Sequence, residues 1–266
     1  MSQEPCEGCK KDTIPQTPTH GKFIEVAGVN TYVSTPTDNK HDRILLFYTD
    51  IYGPNFLNNQ ALADYFASHG YLVLAPDFFN EEKLEEILKE KPDLKIIDWA
   101  RSNGFMMKAP ALLEKWLPEA KKKYGTDKTK YVVVGYCFGG PSTMNAGAKE
   151  DVSAVAVAHP SAVTEAHFQA LKVPLLICAS EQDFIFRPEL RQTAEKILRT
   201  KSTPEGAEGN LDDHRVGAGD YHFQFVLYSG VSHGFAVHNP KTSAQRWAKE
   251  DAARQMLSWF NRFTEQ

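Results

Sequence analysis

Apolar and polar positions change period several times along the chain. Phe23–Val26 and Thr31–Ser34 alternate around Ala27-Gly28-Val29-Asn30, which predicts a β-hairpin. Arg43–Thr49 is a compact apolar run, as expected of a strand covered on both faces, and Asp50-Ile51-Tyr52-Gly53-Pro54 follows it as a loop. Leu57–Ser68 has helical spacing, with Leu62, Tyr65 and Phe66 inward, and stops near Gly70. Tyr71–Ala75 is the next strand. Asn80–Glu90 puts Leu84, Ile87 and Leu88 on one helical stripe, and Pro92 ends it. Ala109–Lys123 is helical, with Pro118 expected to kink or interrupt it. Further strands are predicted at Tyr131–Val134, Val152–Ala158, Pro174–Ala179 and Phe223–Tyr228. Helices are predicted at Gly140–Ala148, with Pro141 in the tolerated first turn, at Pro188–Leu198 and at Ser243–Phe260.

Strands alternating with helices imply an α/β fold, a mainly parallel central sheet with helices on both faces and the hairpin at one edge. The first 22 residues are rich in Pro, Thr, Lys and Glu and read as an extended or poorly ordered lead-in, leaving 23–266 as one domain. Thr200–Asp220 is polar and Gly-containing. It reads as a surface loop, because a strand and helix of the same sheet follow it.

Composition narrows the function. The 266 residues are 42% hydrophobic, enough for a core that needs neither disulfides nor a structural metal. A net charge of -4 with interspersed signs gives no footprint for nucleic acid or an anionic membrane. Four cysteines are too few for a disulfide framework, and Met1–Lys10 lacks the apolar core of a secretory signal. No apolar run approaches the roughly 18 residues that a membrane span needs. The expectation is a cytoplasmic protein, monomer or homodimer, with no membrane or nucleic-acid partner.

The chemistry centres on Val132-Val133-Val134-Gly135-Tyr136-Cys137-Phe138-Gly139-Gly140. A strand runs into G-x-C-x-G and a helix follows, which is the nucleophile-elbow pattern with Cys in place of Ser. The two glycines leave room where a Cβ would clash in so tight a turn. The helix N-terminus beyond favours a thiolate, and the Phe138 amide points toward a developing oxyanion. The alternative is a buried structural Cys in an ordinary glycine turn. A nucleophile needs a base, and the base an orienting acid. In this pattern the acid precedes the His along the chain. Asp183, in Ser180-Glu181-Gln182-Asp183, and His233, in Ser232-His233-Gly234-Phe235, have that order and follow the C-terminal ends of predicted strands. Glu181 is a possible replacement for Asp183. His159 ends a strand and is a possible pocket-lining group, though its order is wrong for the base. His238 reads as a solvated surface residue, and Asp77 as a turn or cap carboxylate. Tyr52, Tyr136, Phe138, Phe184 and Phe186 read either as walls of an apolar pocket or as core.

Other motifs carry less. Cys6-Glu7-Gly8-Cys9 lacks the second pair of a zinc ribbon and sits in a polar tail. Cys178 reads as core and Lys121-Lys122-Lys123 as a solvated helix end. No cofactor or metal is implied.

From about Thr19 to the last helix the chain resembles the dienelactone hydrolase family, whose members carry G-Y-C-x-G-G at the nucleophile, an acid in a short loop before a helix, and a terminal H-x-F. Gly135–Gly140, Asp183 and His233-Gly234-Phe235 match. The resemblance implies an α/β-hydrolase fold and hydrolysis of an ester or lactone, as in carboxymethylenebutenolidase, by a Cys137-His233-Asp183 triad through a thioester. By the same correspondence Asp50, in Asp50-Ile51-Tyr52-Gly53, takes the place of an acid, usually Glu, that switches the thiol between resting and active forms. Ile51 N–H becomes the second oxyanion donor beside Phe138. From their own positions, Tyr52, Tyr136, His159 and Phe186 are expected to line the substrate site. The family's Arg after H-x-F is Val237 here, and Val cannot pair with a substrate carboxylate. His238, Arg101 and Arg187 are the possible substitutes. A more hydrophobic ester, lactone or thioester therefore fits better than the small anionic dienelactone, its pocket shaped by how 81–108 packs over the site. A polyketide-like biosynthetic thioester and a ligand-binding role with little turnover remain alternatives.

Overall fold

A computed structural model describes residues 20–39, 42–149, 151–202 and 221–265. Eight strands form one sheet in the order β1-β2-β4-β3-β5-β6-β7-β8. The strands are β1 (Lys22–Val26), β2 (Val29–Ser34), β3 (Arg43–Tyr48), β4 (Leu72–Pro76), β5 (Lys130–Tyr136), β6 (Ala154–Ala158), β7 (Leu175–Gln182) and β8 (Phe223–Ser232). From β4 to β8 every pairing is parallel; β2 joins β4 antiparallel and carries β1 beyond it. Cys6, Cys9 and nearly all of the Thr200–Asp220 loop expectation lie outside the described residues.

The hairpin loop is tighter than expected. Ala27 and Gly28 both have positive φ (53° and 77°), the backbone of a two-residue type I′ turn, so β2 begins at Val29. Strand alternation then builds two cores. Along β5, Val132, Val134 and Tyr136 point to the side covered by the helices Leu57–Ser68 and Ser243–Thr264, while Val133 points to the other. Burial is nearly complete on both faces, which is why the parallel strands read as unbroken apolar runs.

The helix expected at Ala109–Lys123 runs from Phe105 to Tyr124 without interruption at Pro118. Pro110 and Pro118 are exposed while Phe105, Ala109, Trp116 and Ala120 are buried, so both prolines lie on the outer face of the helix. Two short helices, Ile96–Ser102 and Glu165–Ala170, are additional to the expectation. Each has too few periodic positions to stand out. The strand at Pro174–Ala179 extends to Gln182, where a register shift between Ser180 and Gln182 loosens its pairing to β8. No helix of the described residues is long and apolar enough to cross a membrane.

Candidate active site

β5, β7 and β8 deliver three side chains to one end of the sheet. After β5, Cys137 opens a single 3₁₀ turn, Cys137–Gly139, that leads into the helix Gly140–Gly147. Its φ of +45° lies in the left-handed region that non-glycine residues avoid, so the turn holds the thiol in a strained backbone. The glycines are required by close approach. A Cβ on Gly135 would come within 2.7 Å of Gly139 O, and one on Gly139 would overlap the Tyr48 carbonyl of the neighbouring strand.

His233 follows β8 directly, and Gly234 (φ +91°) turns the chain sharply behind it. The His233 amide donates to Gln182 O at 3.2 Å, tying it to the end of β7 and the loop that carries Asp183. His233 Nε2 lies 3.1 Å from Cys137 Sγ. Its Nδ1 lies 3.0 Å from both Asp183 oxygens. Asp183 is fixed in turn: Ser180 Oγ donates to Oδ2, and the amides of Ile185 and Phe186 donate to Oδ1, each at 2.9 Å. Glu181 is exposed and accepts from the Gly230 amide, so it takes no part in this chain of contacts.

Burial opposes charge at both ends of the His–Asp contact, and hydrogen bonding outweighs it. Burial alone would raise Asp183, but the His233 contact, the His233 charge and the two amides hold the carboxyl well below the usual carboxylate range. Burial alone would lower His233, but its contacts with Asp183 and Cys137 push it up to about 10. The imidazole is therefore a held proton beside the sulfur.

The other expected residues divide. Tyr136 is not a pocket wall: strand alternation turns it into the core, stacked on Phe47 at 5.2 Å with its hydroxyl donating to Met256 Sδ. Phe186 is core as well, packed on Phe168, and contributes its amide rather than its ring. The Phe138 ring is buried against Phe78 and Phe79. His159 is fully buried behind His233, with ring centroids 5.0 Å apart, so it backs the His233 imidazole instead of facing solvent. Burial lowers its pKa well below the ordinary value, which keeps it neutral. Phe184 is 64% exposed and lies 5.4 Å from His233, at the mouth of the site. Val237 is fully buried, so position 237 offers the site no charge. Arg187 Nε turns back to Phe184 O, and Arg101 is exposed. Asp77 is the turn carboxylate expected, accepting from the amides of Phe79 (2.8 Å) and Glu81 (2.5 Å).

Asp50 is almost fully buried, and its hydrogen bonds go to Asn59 and Tyr52. Asn59 Nδ2 (2.8 Å) and the Tyr52 amide (3.1 Å) both donate to Oδ1. Its other oxygen, Oδ2, faces His238 Nε2 at 3.7 Å. The same turn leaves the Ile51 amide with no acceptor among the described residues. His238 is thus not a free surface residue. An α-turn from Gly234 brings it back, its amide donating to Gly234 O, and it packs edge-on against Tyr52 at 5.0 Å. Lys249 is also additional to the expectation: it is buried on the last helix, with Nζ donating to Val237 O at 2.7 Å. Its place in the stripe Ala248, Ala252, Ala253 and Met256 was the available signal. Burial lowers it to about 8, against the pull of Asp50. A cleft of about 200 Å³ opens beside these groups, lined by His233, Phe235, His238, Asn239, Lys241 and Gln245 among others.

Comparison with known proteins agrees with this architecture. The family model described as "Dienelactone hydrolase family" matches residues 29–208 and 209–264. The hydrolase pyvD of Aspergillus violaceofuscus is 29% identical over 98% of both chains. The hydrolase tropI of Talaromyces stipitatus is 31% identical over 91% of this chain and 90% of its own. Among solved structures, dienelactone hydrolase from Anabaena variabilis superposes with a TM-score of 0.57 at 15% identity, over 92% of this chain and 99% of its own. At that identity the likeness shows the α/β-hydrolase fold.

Proposed function

The chain belongs to the dienelactone hydrolase family and is a hydrolase of carboxylic esters or lactones, and we propose that it works through a Cys137-His233-Asp183 triad and a thioester acyl-enzyme. The observation that carries this reading is the unbroken series of contacts from Cys137 Sγ through His233 to Asp183, 3.1 Å on one side of the ring and 3.0 Å on the other.

Transfer of the Cys137 thiol proton to His233 Nε2 leaves the negative charge on sulfur. The sulfur attacks the acyl carbon, and the C=O electrons move onto oxygen. The amides of Phe138 and Ile51 receive that oxyanion, at the start of a helix and at the head of the Asp50 turn. Collapse expels the alcohol, which takes the proton from His233. The neutral imidazole then removes a proton from water, which attacks the thioester carbon. Expulsion of sulfur restores the thiolate and the protonated ring. Asp183 fixes the ring's orientation and steadies its positive form throughout. Asp50 has a different part in this reading from the thiol switch implied by resemblance. Its bonds to Asn59 and Tyr52 hold the turn that presents the Ile51 amide. The described residues from β1 to the last helix share one sheet and two cores, which supports a single catalytic domain over 23–266.

The test is Cys137→Ala assayed on an activated aryl ester, with far-ultraviolet circular dichroism to show that the protein is folded. Turnover should vanish; full residual activity in a folded variant overturns the proposal.

A further inference from the structure

We propose that the Asp50–His238 pair forms a hydroxyl-reading subsite on the leaving-group side of the cleft, selecting esters or lactones whose leaving group carries a phenol or enol hydroxyl. This deepens the proposed function and rests on it.

Four features make the pair a built element. Asp50 is buried and has one oxygen committed to Asn59 and the Tyr52 amide, so its second oxygen is left for His238. At 3.7 Å that contact is too long for a direct hydrogen bond but close enough to orient the ring electrostatically. The ring is clamped by Tyr52 edge-on at 5.0 Å and by Phe56 at 6.0 Å. It also lies so near the Gly234 backbone that a Cβ there would meet His238 Cδ2 at 2.6 Å. Finally, Lys249 Nζ bonds Val237 O and His238 O, which pins the segment that carries the ring.

With Nε2 toward Asp50, Nδ1 takes no hydrogen bond from the described residues, and the residue lines the same cleft as His233. A proton directed toward Asp50 leaves Nδ1 as an acceptor lone pair. Burial drives the imidazole toward its neutral form, with Lys249 and His233 adding to the downward push against the pull of Asp50. A neutral acceptor whose other nitrogen faces the Asp50 carboxylate suits an acidic O–H donor and offers little to a carboxylate. The cleft's size agrees: a cavity of roughly 150 Å³ is enough for benzene, and this one measures about 200 Å³. His233 and His238 both line this cleft, and His233 protonates the leaving group in the proposed reaction, so the subsite is assigned to the leaving group.

A site that bonds a substrate hydroxyl discriminates against the analogue lacking it, by a modest factor where, as at His238 with 43% of its side chain exposed, water can replace the missing partner. The experiment compares the 2-, 3- and 4-hydroxyphenyl acetates with their methoxyphenyl counterparts. For the best-placed isomer the unmodified enzyme should favour hydroxyl over methoxy by about tenfold or more in kcat/KM. His238→Phe should reduce that ratio to near one, His238→Gln, which keeps an acceptor, should retain part of it, and Asp50→Asn should lower it. No preference in the unmodified enzyme, or an equal loss for both ester series in His238→Phe, overturns the inference. Mass detection of an acetyl group on Cys137 after p-nitrophenyl acetate, run on each variant, separates the two failures. Acylation without preference sinks only the subsite, whereas absent acylation sinks the triad reading beneath it.

Discussion

His233 Nε2 lies 3.1 Å from Cys137 Sγ although 96 residues separate them in sequence. Two sharp turns make the contact. One is the left-handed elbow at Cys137, the other the positive-φ Gly234 that follows the histidine. β5 and β8 carry the two residues, with β6 and β7 between them, so the imidazole reaches back over the sheet end to the sulfur. Asp183, on the loop after β7, meets the ring from its far side.

Asp183→Asn keeps the shape of this arrangement and removes its charge. An amide facing Nδ1 supports the wrong tautomer, so kcat for an aryl ester should fall by about a thousandfold to ten-thousandfold. The Ser180 hydroxyl and the Ile185 and Phe186 amides lose a charged acceptor, which costs on the order of 1–3 kcal/mol of stability in urea unfolding. A variant with near-normal kcat would remove Asp183 from the mechanism.

The proton on His233 sets the alkaline behaviour. Acylation uses the protonated ring, so kcat/KM should decline at high pH with an apparent pKa near 10. Because Cys137 is one of the causes that raise His233, its titration followed by NMR should move downward in Cys137→Ala. An alkaline limb near neutrality would contradict the assignment.

Stability against pH carries two opposed contributions. His233 is raised when folded, so its contribution is complete below about 6.5, the unfolded value, and is lost as pH rises toward about 10. Lys249 is lowered when folded, so the unfolded chain holds the extra proton between about 8 and the unfolded value near 10.4, and stability gains there as pH rises. Between about 8 and 10 the two offset each other. Lys249→Met removes one of them, and urea midpoints should then fall more steeply with pH over that window than in the unmodified protein. Parallel curves would refute the offset.

Two glycines separate crowding from backbone conformation. Gly139→Ala drives a methyl into the Tyr48 carbonyl and should cost roughly 3 kcal/mol or more, with loss of the elbow. Gly230 has φ +70° and no atom within 4 Å of where an added methyl would sit, so Gly230→Ala should cost only about 1–2 kcal/mol. Equal costs in urea unfolding would mean that close approach is not what the elbow requires.

Much of this site is legible in the chain because it depends on local geometry. G-x-C-x-G after a strand dictates the elbow, and strand ends dictate where Asp183 and His233 emerge. What is not legible depends on packing between distant segments. Nothing local tells that the Gly234–His238 turn brings His238 back to Asp50, or that Lys249 on the last helix serves Val237 O. The aromatics divide for a simpler reason. Tyr136 and Phe184 look alike as pocket walls in sequence, but strand parity buries the first, and a loop position leaves the second exposed.

The most direct test of the central claim is intact-protein mass spectrometry during the first turnovers of an activated ester, followed by peptide mapping. One acyl group is expected on the protein, located on Cys137 and absent from Cys137→Ala. Turnover with no acyl adduct, or with the adduct on another residue, would contradict the claim.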